Sequence, residues 1–500
     1  MISGPDKKRL WKRLIAAVSL SALFVGLWET FVSPDFFSYL ALGGYVAINK
    51  SLPAYNFFTY IPSPRNFINH AWSVAVLTHL VYESFGFLGI QCYRWALALA
   101  TLGLVYYAAR KRGASRTASL AVLGLIAPFA PAAFPLFLAR NFSYFYFVLC
   151  LHMLEETGTS RRKTSMVLLP VLFWAWANTH MSVPAGFILF GIYIACGFFS
   201  RPRPRWLMAS GAAAFALTFA TPFGADLWEN FLVSLSYDPN DYGGEWLPLA
   251  EALKIGFDKD VLYPFLGLLP LAGILWARFL KGDLAAKSVM AVMALLAFKY
   301  NRHVTLFALV FGVYAPLALD RAAAEFLRTR GGTAGRAART ATVAVLLTAA
   351  ALSGFFISKR AMGLSEWGPP LSHSIPARPV KSSVIHSFYP VGAVEYMKSL
   401  ELSGDVLTWA MWGGYLSWEC FPRVRSAVDG RAYEEYPKDI YNDYVRFYYG
   451  MPGWRRILER FPPDHVLVHA NTVADVRMSR LNDWCEIYRD EVSALYTRIY

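Results

Sequence analysis

Charge is scarce in this chain, and cysteine scarcer still. Only 16% of its 500 residues are Asp, Glu, Lys or Arg, against 56% hydrophobic ones. A soluble protein of this size cannot keep that much apolar surface from water. Of the five cysteines, Cys92, Cys150 and Cys196 lie in apolar runs, so there is neither a metal pattern nor a disulfide framework. Cys420 and Cys485 either pair, if they face an oxidising compartment, or remain two thiols. Acidic residues are the rarer charge, 34 against 48 basic ones, for a net +14. The excess sits in short Lys/Arg clusters between apolar runs, where it sets membrane topology, so nucleic acid is not expected as a partner. Walker, HExxH, GxSxG and dinucleotide motifs are all missing, which removes nucleotide-driven pumps and intramembrane zinc proteases. No internal repeat is found, against the pattern of most transporters.

What the chain has is long apolar windows. Those of spanning length cover 14–32, 87–109, 118–137, 142–157, 165–182, 183–200, 206–221, 261–279, 285–300, 303–319 and 341–358, which predicts a multi-pass α-helical membrane protein of about 11 spans. The first window is too long for a signal-peptide core and lacks a small-residue cleavage site, so it is read as a retained span. Basic clusters at Arg110 to Arg116, Arg161 to Lys163, Arg201 to Arg205, Arg278 to Lys287 and Arg321 to Arg339 occupy every second connection, as expected if the amino terminus is cytoplasmic. This alternation holds only if the stretch from Trp72 to Tyr82 is a helix on the outer surface instead of a span. Arg94 then falls inside the second span, as a snorkelling or cavity-facing arginine or as a functional one. Three outer segments result: 33–86, 222–260 and everything from 359 on.

Several polar residues stand at the outer ends of these windows. Ser33-Pro34-Asp35-Phe36-Phe37 places a carboxylate beside the membrane among aromatic rings, as a base, a cation ligand or the cap of a following helix. Arg140-Asn141 and Lys299-Tyr300-Asn301-Arg302-His303 put cations on the face that topology keeps poor in them. They suit a bound phosphate or pyrophosphate, or snorkel to lipid headgroups. Asn178-Thr179-His180 ends the fifth window, where Asn178 and His180 are costly unless they face a cavity. The next outer segment is acidic, with Asp226, Glu229, Asp238, Asp241 and Glu245, and is either solvated or a site for a divalent cation or a sugar.

Charges become common again after Lys359, which sets a boundary: 1–358 as the membrane domain and 359–500 as a soluble α/β domain. In the tail, helical patterns near 391–400, 438–449 and 454–461 alternate with apolar runs at 405–409, 424–428, 464–469 and 494–500. Trp412-Gly413-Gly414-Tyr415-Leu416 and Asp429-Gly430-Arg431, with Tyr433 and Tyr436, read as close-approach glycines in a ligand platform, or as turns.

The order of these features resembles bacterial membrane proteins related to the GT-C superfamily of lipid-linked glycosyltransferases. The likeness rests on Asp35, the long first outer segment, Asn178-Thr179-His180, Thr221-Pro222-Phe223-Gly224, Glu245-Trp246, Arg302-His303, Trp412-Gly413-Gly414-Tyr415 and Asp429-Gly430-Arg431. It implies transfer of a sugar from a polyprenyl-phosphate donor to an envelope acceptor, outside a bacterial inner membrane, with the tail extracytoplasmic. Asp35 is then the catalytic base, and Arg140, Asn178, His180, Glu245, Lys299, Arg302 and His303 the substrate-binding residues. The partners implied are a polyprenyl-phosphate-linked sugar, an envelope acceptor and membrane lipid. No metal ligand is assigned, although such chemistry admits a divalent cation. Ala71, in Asn69-His70-Ala71-Trp72, departs from the acidic residue often found before that Trp. The rival readings are a flippase or transporter of a polar lipid and a non-catalytic envelope assembly protein.

Overall fold

A computed structural model describes residues 4–27, 33–63, 67–134, 138–158, 160–199, 204–235, 246–280, 282–328, 347, 350–359, 388–431 and 436–499. Glu245, Asp238, Asp241 and Tyr433 lie outside them.

The apolar windows form helices. In chain order these are α1 (Gly4–Leu27), α2 (Pro34–Asn49), α3 (Trp72–Lys111), α4 (Arg116–Leu125), α5 (Ala130–Ala133), α6 (Arg140–Glu156), α7 (Arg162–Ala177), α8 (Pro184–Phe198), α9 (Arg205–Leu217), α10 (Asp226–Ser234), α11 (Leu249–Lys254), α12 (Lys259–Arg278), α13 (Leu284–Lys299) and α14 (Val304–Arg328). Among the described residues, four stretches are long and apolar enough to cross a membrane: Arg9–Leu27, Trp72–Lys111, Lys259–Arg278 and Asn301–Phe326. The window expected as one span over 118–137 is instead α4, a 3-10 turn over Ala127–Phe129 and the single turn α5. Pro128, inside that 3-10 turn, has no backbone donor and breaks the ladder. Residues 350–359, the described end of the last window, are helical.

Helix α3 is broken at Gly86, whose φ of 59° and ψ of −156° only glycine adopts without strain. The break divides it where the sequence separates a surface helix from a span. Arg94, beyond the break, is 3% exposed. It donates to the carbonyls of Leu27 at 2.8 Å and Phe134 at 2.9 Å, so it ties off the end of α1 inside the bundle.

The tail comprises α15 (Val391–Ser399), β1 (Gly404–Thr408), α16 (Ala410–Cys420), β2 (Val424–Ser426), α17 (Lys438–Tyr449), α18 (Arg456–Arg460), β3 (His465–His469), α19 (Val473–Met478), β4 (Trp484–Arg489) and β5 (Ser493–Arg498). Its sheet has the order β2-β1-β3-β5-β4. β1 is parallel to β2 and β3, and β5 is antiparallel to β3 and β4. The free edge of β2 is covered by the first long segment: Tyr60 N–H donates to Ser426 O at 2.9 Å and Ser426 N–H to Phe58 O at 3.2 Å. Such pairing removes an exposed strand edge. All five cysteines are free thiols, so Cys420 and Cys485 do not pair.

Tail and bundle share a core. Phe36, Phe37 and Leu40 of α2 and Phe87 and Ile90 of α3 pack with Tyr389, Val391, Trp412, Tyr415, Leu416 and Leu495. The two glycines of Trp412-Gly413-Gly414-Tyr415 lie inside α16 and make this possible. A Cβ on Gly414 would stand 2.3 Å from Ser38 Oγ and 3.0 Å from Ser38 N, and one on Gly413 would stand 2.4 Å from Val428 O. α16 therefore sits directly against α2 on one side and the 428–431 turn on the other.

Candidate active site

Ser33 takes the N-cap position of α2 with extended backbone but makes no side-chain cap bond, Pro34 opens the helix, and Asp35 is in its first turn. A carboxylate is favoured there by the helix dipole. Above it lies the tail: a Cβ on Gly430 would stand 3.7 Å from Asp35 Oδ1. The phenol of Tyr389 is pushed well above its ordinary value by burial and then by the charge of Asp35.

Gly430 belongs to the turn that follows β2. Its neighbour Asp429 is 4% exposed and is held by Arg431. The Arg431 backbone N–H donates to Asp429 Oδ1 at 3.0 Å, Nε donates to the same oxygen at 3.1 Å, and Nη2 bonds Oδ2. So held, the guanidinium lies 4.7 Å over the ring of Phe67. Phe67 stands three residues before His70, in the short segment that leads into α3.

His70 meets His180 edge to face, with ring centroids 5.2 Å apart. Burial lowers the His70 pKa to about 4, with Arg431 and Arg302 adding to the shift, so His70 is neutral at physiological pH. His180 Nδ1 accepts from Ser182 N–H at 3.2 Å and lies 3.0 Å from Ser143 Oγ. A ring nitrogen that accepts carries no proton, so the His180 proton sits on Nε2. Ser182 and Trp176 Nε1 bond Ser143 in turn, at 2.6 and 3.2 Å, which fixes the ring. Arg140 starts α6 and Arg302 precedes α14, so both guanidinium groups stand at helix amino ends, where anions are favoured. Arg302 lies 4.0 Å over the ring of Trp246.

The remaining expected residues fall in different places. Asn178 donates from its amide to the carbonyls of Trp174 at 3.0 Å and Ala220 at 3.1 Å, while its backbone carbonyl accepts from Ser73 at 2.6 Å. The bonds with Ser73 and Ala220 tie the end of α7 to the start of α3 and to the residues after α9. Lys299 is exposed, with its ammonium 5.2 Å from the Tyr300 ring. The His303 ring is 5.9 Å from that of Tyr300. Three residues of the site carry no role of their own in the sequence reading: His70 and Trp246 figure there only as neighbours in a motif, and Arg431 only as part of a segment read as a ligand platform or a turn. Among the described residues no group of three or more His, Cys, Asp or Glu gathers that could hold a metal ion.

No sequence-family description matches the chain, and no curated protein matches it in sequence. Solved structures do. The oligosaccharyltransferase AglB of Archaeoglobus fulgidus, in complex with an inhibitory peptide and a dolichol-phosphate, superposes with a TM-score of 0.57 at 14% identity, over 92% of this chain and 70% of that one. ArnT of Cupriavidus metallidurans bound to undecaprenyl phosphate gives 0.52 at 14% identity, over 97% of both chains. The chain shares its fold with these structures. The mycobacterial arabinofuranosyltransferase AftD superposes with a TM-score of 0.56 at 14% identity, over 98% of this chain and 42% of that one.

Proposed function

We propose that this protein is a membrane glycosyltransferase that moves a sugar from a polyprenyl-phosphate donor to a hydroxyl or amine of a cell-envelope acceptor, at the outer face of a bacterial inner membrane with the tail on that side. The observation that carries this reading is a set of contacts in which the tail turn meets Asp35 at Gly430 and Phe67 at Arg431, while His70, three residues on from Phe67, meets His180. A carboxylate and a set of cations at one end of the same helices is what such a reaction requires.

The chemistry needs a base, an anion site and exclusion of water. Asp35 takes the proton of the acceptor O–H or N–H, whose lone pair attacks the anomeric carbon with inversion. The bond from that carbon to the phosphate oxygen breaks, and its electron pair leaves on the phosphate. Arg140 and Arg302 serve the phosphate as bidentate donors. His70 and His180, both uncharged, line the space between without neutralising a carboxylate. The aromatic rings of Phe36, Phe37, Tyr389 and Tyr415, packed within 5.4 Å of one another in successive pairs, keep water from the side of Asp35 that faces the core.

The test is sugar transfer from a radiolabelled polyprenyl-phosphate sugar, with wild type and Asp35→Asn compared in membranes. Loss of a general base lowers the rate by about 10²- to 10⁴-fold, with folding unchanged. Wild-type turnover by the variant removes Asp35 from the chemistry. Movement of the lipid across the bilayer without sugar transfer by the wild type points to a flippase instead.

A further inference from the structure

We propose that the tail carries a docking surface for an acidic envelope glycan, a polymer of carboxylate-bearing sugars, where the end of α17, the turn into α18 and α19 meet. It rests on the tail facing the envelope, as in the reading above, and is otherwise independent of the transfer chemistry.

The surface is built around Trp454, in the turn between α17 and α18. The guanidinium of Arg455 lies 5.3 Å from the centroid of its ring, and that of Arg477, from α19, lies 5.2 Å away. One ring therefore gathers two cations. Among the described residues neither arginine has an acidic partner, whereas Arg446, Arg456 and Arg460 of α17 and α18 all reach Asp443. The charge of Arg455 and Arg477 is thus left for a ligand from outside.

Gly450 brings the two segments together. It ends α17 at a φ of 61°, and a Cβ on it would stand 2.3 Å from Val473 Cγ1 and 3.0 Å from Arg477 Nε. The chain at 449–451 therefore lies directly against α19. Tyr449 is 71% exposed there, and Met451, Val473 and Val476 also face water. Aromatic and aliphatic surface left in water beside unpaired cations marks a contact site.

An acidic glycan matches each part of it. The C–H faces of its sugar rings pack on the Tyr449 ring and the aliphatic side chains, and its hydroxyls meet the phenol. Its carboxylates take the planar forks of Arg455 and Arg477. A protein contact centres instead on an aromatic anchor that enters a pocket of the partner. Trp454 is half-buried and packs on Phe447 at 6.1 Å, so it is a shelf and not a projecting anchor.

The experiment measures binding of polygalacturonate, of dextran as a neutral glycan and of polyglutamate as an acidic polymer without sugar rings. The protein is the purified full chain in phosphatidylcholine nanodiscs at about 0.1 M salt, where exposed charges still act over about 10 Å. Polygalacturonate is expected to bind more tightly than either of the others. The double variant Arg455→Gln/Arg477→Gln should weaken it by about tenfold, the loss of two exposed charge contacts. Tyr449→Ala should weaken polygalacturonate by about threefold and leave polyglutamate unchanged, while Arg423→Gln, elsewhere on the tail, changes neither. Wild-type affinity in the double variant overturns the inference, and so does polyglutamate binding as tight as that of polygalacturonate, which would make the partner an acidic protein. Should the double variant not fold, Arg455→Gln alone decides by the same criterion. Loss of glycan binding with sugar transfer intact refutes this surface and leaves the transferase reading standing; the reverse refutes only that reading.

Discussion

The rings of His70 and His180 meet edge to face at 5.2 Å, one from the segment before α3 and the other from the turn after α7. This contact joins the first long connection to the middle of the bundle.

His70 makes the fold sensitive to acid. Its folded pKa, about 4, lies below the unfolded value of 6.5, because burial, Arg431 and Arg302 all disfavour its cation. The unfolded chain therefore binds the extra proton first, and the stability this group contributes above pH 6.5 is lost as pH falls toward 4. Thermal unfolding in detergent should show a midpoint that drops across that window in wild type and drops less in His70→Gln. Equal pH dependence in both proteins removes His70 as a source.

Gly414 controls how the tail seats on the bundle. A side chain there meets Ser38 Oγ at 2.3 Å and the Ser38 backbone nitrogen at 3.0 Å, and backbone cannot step aside. Gly414→Val should push α16 from α2, speed proteolysis within 388–431 and reduce activity together with it. Unaltered proteolysis and activity would mean that the contact is dispensable.

The far ends of the same helices carry a different cluster. Arg112 at the end of α3 bonds Glu155 of α6 and Asp283 before α13, and its guanidinium lies 4.5 Å over the Tyr314 ring. Glu155 also accepts from Tyr193 at 2.8 Å and Tyr314 at 3.0 Å. Arg112→Ala leaves two carboxylates without their cation, so a loss of about 3–5 kcal/mol is expected, read as a large fall in thermal midpoint. Binding of undecaprenyl phosphate by the fraction that folds should be unchanged, since the anion site is at the opposite end.

Much of this architecture is legible in the sequence, and the reasons for the exceptions are physical. Long apolar windows place α6, α8, α12 and α13 within two residues at either end, because burial in lipid demands length, while α1 begins well before its window and α14 runs well past its own. In the tail, 391–400, 405–409 and 438–449 become α15, β1 and α17. Strand β4 gives no such signal because it is an edge strand in which only Trp484 is buried, and Glu486 and Arg489 interrupt its apolar positions. Helix α16 gives none because Gly413 and Gly414 oppose helix formation locally, and only the close approach to α2 and Val428 overrides that. Asp35 and the cationic window ends are visible as residue types in telling places. Their link through Gly430 and Arg431 joins opposite ends of the chain, which no local pattern encodes. The place of His70 depends on its long-range contact with His180, which nothing in Asn69-His70-Ala71-Trp72 itself marks.

Orientation is a separate prediction. Reporter fusions at residue 50 and at the carboxyl end should both report the extracytoplasmic side, and fusions in the basic loops at Arg112 and Lys163 the cytoplasm. A tail in the cytoplasm contradicts the proposed access to an envelope acceptor.

The central claim is that one phosphate sits where tail and bundle meet. A cryo-EM map of the full chain with undecaprenyl phosphate tests it most directly. Phosphate density is expected in contact with Arg302 or Arg140 and within reach of Asp35. Density at the Arg112 end, or a headgroup that touches neither arginine, contradicts it.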